Sequence, residues 1–392
     1  MDSLYIAWKY VCFNKIKTGT LIACITLIAF LPLALQLLLN ESEQQLMSRA
    51  VSTPLIVGTK GSALDLVMNT LYFDDEVPEF MTMAEVDRIE NSGLAQPIPL
   101  YTRFNARGHP LVGTTLDYFD FRRLKVATGR QLTLVGEAVL GATIAKELEL
   151  KPGDFLVSSP ENPFDLAGVY PLKMHVVGIL AKSHTSDDLA VFVDLKTTWI
   201  IEGLGHGHQD LIKSQDASLL LERTDQNITA NAKLRLYTEI SEINLESFHF
   251  HGDRSQYRIT ALIAVPTNPK SGTILRGRYV SQDTSTQIVQ PAEVIDGLLQ
   301  NIFQIKNVID AVILVVGIAT MLAILLVFAL SLRLRQREIN TIFKLGCSRL
   351  TIVRLMAAEI LIIIGLSAFL CISLMTTVDH VKHDIVRTAF IR

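Results

Sequence analysis

The chain has 392 residues, of which 49% are apolar and 19% charged, and its formal net charge is -3. Acidic and basic residues nearly cancel, so neither a nucleic-acid-binding surface nor a polybasic membrane arm is expected. Mean hydropathy is positive and concentrated in three apolar blocks, which excludes an ordinary soluble protein; the expected class is a membrane protein with an α-helical transmembrane region of three visible spans and a large extracytoplasmic α+β domain.

In chain order, residues 1–17 place Leu4, Trp8 and Val11 on one helical face among Lys9, Lys15 and Lys17. This stretch reads as a cytoplasmic amphipathic helix, either lying in the membrane interface or extending the first span into the headgroups. Residues 18–40 carry no charge, although Pro32 and Gln36 interrupt the run, and about 20 helical residues suffice to cross a hydrocarbon core of roughly 30 Å. The preceding lysines look like those of a signal peptide. The apolar run, however, exceeds an h-region of about 7–15 residues, so it is read as an uncleaved first span.

Residues 41–306 are read as one outer domain with helical stalks. The polar run 41–49 continues the first helix outward; 55–57 is a short buried strand stopped by Gly58 and Gly61; 63–72 has helical spacing. Strand-like runs at 99–104 and 111–115 alternate with turns at Arg107-Gly108 and at Gly113. The clearest unit, 111–203, holds a helix at 141–150, a turn at Gly153 and strands at 174–180 and 189–193. Further strands are expected at 217–221, 259–265 and 281–290, and a helix over 294–306 runs into the second span. Strands and helices in mixed order, without βαβ repetition, give the α+β class.

Residues 307–332 form the second expected span, 333–354 a cytoplasmic loop, 355–378 the third span and 379–392 a short polar tail. Lys9, Lys15 and Lys17 flank the first span, and Arg333, Arg335, Arg337, Lys344, Arg349 and Arg354 crowd the loop, so both clusters are placed in the cytoplasm and the large domain outside. Cys12, Cys24, Cys347 and Cys371 all lie in or beside the apolar blocks, which leaves the outer domain to its own core for stability.

The loop carries a basic stretch to Arg337, then Glu338-Ile339, then Leu345-Gly346-Cys347-Ser348, then a run entering the membrane with Glu359. It resembles the FtsX/MacB-type permeases of ABC transporters, in an FtsX-like C-terminal membrane domain. Leu111-Val112-Gly113, Asp117, Gly129-Arg130, Val139-Leu140-Gly141, the turn at Gly153, Val176 to Ile179 and Val191-Phe192-Val193 look like the MacB-like periplasmic core domain of the same family. The resemblance implies a permease subunit in a bacterial inner membrane with its large domain in the periplasm. It implies a cytoplasmic ABC ATPase dimer that binds the ATP, a second permease copy, most simply as a homodimer, and a periplasmic adaptor, lipoprotein or substrate-binding protein. The family pattern has four spans, whereas three are visible here.

Neither Val57-Gly58 to Gly61 nor Pro269 to Gly272 has the spacing of a phosphate-cradling GxxxxGK[ST] loop, so no nucleotide cofactor is expected on this chain. No GxSxG elbow or HExxH helix occurs, and no catalytic residue is assigned. The candidate ATPase-coupling residues are Arg337, Glu338, Ile339, Phe343, Lys344, Gly346, Ser348 and Arg349, an amphipathic segment whose apolar side suits a partner's groove and whose charges fix register. Glu359 is open to two readings: a functional intramembrane carboxylate, or a helix end pairing with Arg354 or Lys344. His206 and His208, and His249 and His251, form two HxH pairs in the outer domain; they are candidate ligands of a divalent transition metal if the fold unites them, and otherwise solvated loop histidines. A membrane-anchored metal- or ligand-binding sensor is therefore the rival to the permease.

Overall fold

The computed structural model describes residues 2–159, 171–207, 220–224, 227–230, 238–240, 248–250, 252–280, 285–334, 336 and 348–390. The chain divides into two units, Met1–Gln45 with Gly297–Phe390, and Leu46–Asp296.

The elements begin with α1 (Asp2–Phe13), α2 (Lys15–Val51), β1 (Leu55–Thr59), α3 (Ala63–Tyr72), β2 (Met81–Thr82), α4 (Met83–Ser92), β3 (Ala95–Ala106) and β4 (His109–Thr114). They continue with α5 (Leu116–Arg122), β5 (Val126–Gly129), β6 (Glu137–Leu140), α6 (Ala142–Glu147), β7 (Phe155–Val157), β8 (Leu172–Leu180), β9 (Val191–Asp194) and α7 (Leu195–Ile201). Short strands follow: β10 (Gly205–Gly207), β11 (Leu220–Thr224), β12 (Asn227–Ala230), β13 (Thr238–Glu239) and β14 (Phe248–Phe250). The chain then forms β15 (Arg258–Ile259), β16 (Ala261–Pro266), α8 (Pro269–Val280), β17 (Thr286–Val289), α9 (Pro291–Leu334) and α10 (Arg349–Phe390).

In the unit Leu46–Asp296 an 11-stranded sheet runs in the order β13-β8-β6-β9-β4-β3-β16-β1-β17, with β5 and β7 also pairing β8. β4 lies parallel to β9, and β8 lies parallel to both β6 and β13, whereas the other ladders are antiparallel, so the sheet is mixed. The central strands are apolar on both faces: Leu55, Ile56 and Val57 of β1 and Leu262, Ile263 and Ala264 of β16 are buried because helices cover the sheet there. β8 instead alternates, with Leu172, Met174 and Val176 inward and Lys173 and His175 half-exposed, the period of two that a sheet with one wet face requires. α3 starts where Ser62 accepts a hydrogen bond from the Asp65 N–H at 3.2 Å, leaving its apolar face, Leu66, Val67 and Leu71, against the sheet.

The turn expected at Arg107-Gly108 links β3 to β4. Gly113, expected in a turn, lies within β4 instead, paired with Tyr101 and Val193. A Cβ there would stand 2.4 Å from the Thr198 γ-methyl, so the glycine lets α7 approach the strand rather than bending the chain.

In the other unit α1 packs along α10, and Val11 and Leu21 bury against Ile363. Two helices are long and apolar enough to cross a membrane, Lys15–Val51 and the stretch Val353–Lys382 within α10. In α9 the apolar stretch among the described residues, Asn307–Ala323, is shorter than either of these. α10 continues as helix to Phe390, through much of what the sequence suggested as a polar tail.

Candidate functional site

The outer unit holds a buried ion pair that no sequence motif announces. Arg49, in the last turn of α2, points its guanidinium at Asp187 with both terminal nitrogens, Nη1 to Oδ2 at 2.6 Å and Nη2 to Oδ1 at 2.9 Å. The Tyr118 hydroxyl of α5 closes the triangle: it accepts from Arg49 Nη2 at 2.9 Å and donates to Asp187 Oδ1 at 2.8 Å. Thr185 Oγ1 donates to the other carboxylate oxygen at 2.9 Å. The guanidinium also lies 5.5 Å from the centre of the Phe73 ring. One turn earlier on α2 the Leu46 carbonyl accepts from the Tyr72 hydroxyl at 2.5 Å.

The loop that presents Asp187 is itself braced. Asp188 accepts from Ser183 N–H, Ser183 Oγ and His184 N–H at 2.8–2.9 Å, and the loop backs onto Gly141. A Cβ on Gly141 would come within 2.4 Å of the Asp187 carbonyl oxygen, so only glycine permits this approach. Burial by itself would raise the Asp187 carboxyl, but the Arg49 charge and the hydrogen bonds outweigh it and hold the group below the usual aspartate range. Burial drives the Tyr118 phenol upward, reinforced by Asp187, and pushes Tyr72 up to about 12. The arrangement fastens the end of α2 to α5 and to the loop before β9.

Within the membrane-type unit, α2 and α10 meet at three levels. Lys17 Nζ stands 3.5 Å from Glu359 Oε1, Thr26 Oγ1 donates to the Ser367 carbonyl at 3.3 Å, and Lys382 Nζ lies 3.3 Å from Glu41 Oε2 and 3.0 Å from Asp379 Oδ1. Partners advance together along both helices, so the pair runs in one direction with fixed register. From Lys17 to Glu41 the rise is about 36 Å at 1.5 Å per residue, slightly more than a hydrocarbon core of roughly 30 Å. Glu359 is 5% exposed, and a carboxylate so buried needs a cation.

A sequence model of the MacB-like periplasmic core domain matches residues 22–234, more than half of the chain. The chain belongs to this family. The match stops before the C-terminal helices, so the FtsX-like part of the resemblance is outside it. No curated protein matches. Among solved structures, the periplasmic region of MacB from Actinobacillus actinomycetemcomitans is similar at 11% identity and a TM-score of 0.36, over 66% of this chain and 99% of that one. The extracellular domain of the noncanonic ABC-type transporter YknZ from Gram-positive bacteria is similar at 12% identity and a TM-score of 0.33, over 60% and 98%. The family assignment rests on the sequence match.

In this MacB-like chain, the residues singled out from sequence fall in three groups. Arg337, Glu338, Ile339, Phe343, Lys344 and Gly346 lie outside the described residues; Ser348 directly precedes α10, and Arg349 is its first residue. Glu359 pairs with Lys17, a partner that neither sequence reading named. His206 of β10 sits directly opposite His249 of β14 in an antiparallel ladder, whereas His208 and His251 lie outside the described residues. Among the described residues no group of three or more His, Cys, Asp or Glu is placed to hold a metal.

Proposed function

We propose that this chain is the permease subunit of a bacterial inner-membrane ABC complex, in which a separate cytoplasmic ATPase dimer drives movement of the periplasmic domain through the loop 333–354. The observation that carries this reading is the fixed, same-direction pairing of α2 with α10. Two helices that cross in the same sense require the chain between them to cross back. α9 supplies that return: Val312, Leu314, Val315, Leu322 and Leu326 are all exposed, as lipid-facing residues are. Three spans then put the start of α2, the loop and the start of α10 on one side, where their lysines and arginines favour the cytoplasm.

Family membership supports an ATPase in trans, because the matched domain is one found on ABC-transporter permeases and the chain carries no phosphate-binding loop of its own. In the proposed cycle ATP closes the ATPase dimer, and the segment from Arg337 to Arg349 follows it. α10, which starts at Arg349, shifts with α2, to which it is tied at Glu359, Ser367 and Lys382. A second permease copy and a periplasmic adaptor, lipoprotein or substrate-binding protein complete the assembly.

The test is affinity purification of the full chain from native membranes, with a Glu338→Ala/Gly346→Pro variant beside it. Co-purification of an ABC ATPase with the wild type and its loss from the variant is the expected result. Absence of any ATPase from a folded wild-type preparation overturns the reading.

A further inference from the structure

The outer unit holds a cavity of about 360 Å³ between α4 and α8, inside the range of roughly 300–1,000 Å³ that small-molecule sites occupy. α4 lines it with Arg88, Ile89 and Ser92, and α8 with Leu275, Arg278 and Tyr279. Both sets fall at helical i, i+3 and i+4 spacing, so each helix turns one face to the cavity. Ile89 and Leu275 are buried in the core and give the cavity an apolar base, whereas Arg88 and Arg278 are exposed at its mouth. The two walls are tied together, because the Tyr279 hydroxyl of α8 donates to Glu85 Oε1 of α4, and both side chains are buried. Burial, with the Glu85 carboxylate beside it, pushes the Tyr279 phenol upward, so it stays protonated and keeps donating.

We infer that this cavity binds a small organic anion, one phosphate or carboxylate group carried on an apolar body, with Arg88 and Arg278 holding the anionic group and Ile89 and Leu275 receiving the body. The charge balance selects the sign of the ligand. Arg88 Nη1 stands 3.4 Å from Glu85 Oε2, and the same carboxylate serves Tyr279, while the Arg278 guanidinium has no ion pair or hydrogen bond among the described residues. Two guanidiniums against one carboxylate leave one positive charge at the mouth. A guanidinium presents a planar fork of N–H donors that matches the paired oxygens of a phosphate or carboxylate, so this excess favours an oxyanion over other anions. The Tyr279–Glu85 bond holds the walls in place before a ligand arrives, which lowers the entropy lost on binding.

The experiment titrates phenyl phosphate, benzoate and the uncharged benzyl alcohol into the purified full chain by calorimetry, in an uncharged detergent with a micelle-only blank. Wild type is expected to bind at least one of the two anions and to bind benzyl alcohol far more weakly. Tighter binding of phenyl phosphate assigns the site to phosphates and tighter binding of benzoate assigns it to carboxylates; either order supports the inference. Arg278→Gln and Arg88→Gln are each expected to weaken the anion about tenfold, as loss of one charge-assisted hydrogen bond does. Arg278→Lys, which keeps the charge and loses the fork, falls between wild type and Arg278→Gln. Both arginines are exposed, so these variants keep the fold, which far-UV circular dichroism checks. Arg123→Gln, an exposed arginine of the same unit outside the cavity, leaves binding unchanged. Three results overturn the inference: neither anion binds the wild type, benzyl alcohol binds as tightly as the anions, or both glutamine variants bind as the wild type does, which would make the arginines solvated helix charges. No ATPase is involved, so the outcome is separate from that of the permease test.

Discussion

Arg49 and Asp187 are 6% and 2% exposed, deep enough that neither charge is tolerable without the other. Removing one partner leaves an uncompensated buried charge, so Arg49→Ala is expected to destabilise the outer domain by about 3–5 kcal/mol, read as a lower midpoint in thermal unfolding followed through Trp199 fluorescence. An unchanged midpoint would mean that the ion pair contributes nothing net. The same pair predicts a pH dependence. The Asp187 carboxyl is held below its unfolded value, so its contribution is fully present above the ordinary aspartate range and is lost as pH falls through the folded-state value. Unfolding midpoints measured from neutral pH down into that acid range should therefore fall, and Asp187→Asn should fall less steeply while being weaker at neutral pH. Equal slopes in the two proteins would contradict the assignment. Nothing in the local sequence marked this pair: Arg49 and Asp187 lie 138 residues apart, and each sits in an unremarkable polar stretch.

Among the elements, those with strong periodicity were legible and those with short or mixed patterns were not. α3, β8 and α9 follow from apolar spacing. α4, α5, α7 and α8 were not expected. In α8 the glycines Gly272 and Gly277 and a polar first turn hide a helix that is held by Leu275 and Tyr279 against the core. In α7 Trp199, Ile200 and Ile201 are β-favouring residues, and burial of Leu195 and Trp199 against the sheet overrides that preference. The α2–α10 pair was invisible for a different reason, since a fixed register between two apolar helices depends on a few polar ties and not on hydropathy. It makes a direct prediction. Thr26→Cys/Ser367→Cys, in a chain freed of its native cysteines, should form a disulfide readily under mild oxidation in membranes, detected as a mobility shift, and Thr26→Cys/Phe369→Cys should not. Equal cross-linking of both pairs would refute a fixed register.

At the scale of the molecule, hydropathy and charge determined that the chain is a membrane-associated protein with a large α+β domain between its apolar ends, because the cost of exposing about 20 apolar residues to water, or a charge to lipid, is too large for tertiary context to reverse. Short motifs determined the MacB-like family, which the match over residues 22–234 supports independently of any contact. Only the tertiary structure decided that Lys17 answers Glu359, that Arg49 closes on Asp187 and Tyr118, that Gly113 serves a helix approach and not a turn, and that the strands of positions 206 and 249 pair in register. Each of these joins residues far apart in the chain, and a single sequence records burial and periodicity along the chain but not which distant partner meets a buried charge or a paired strand.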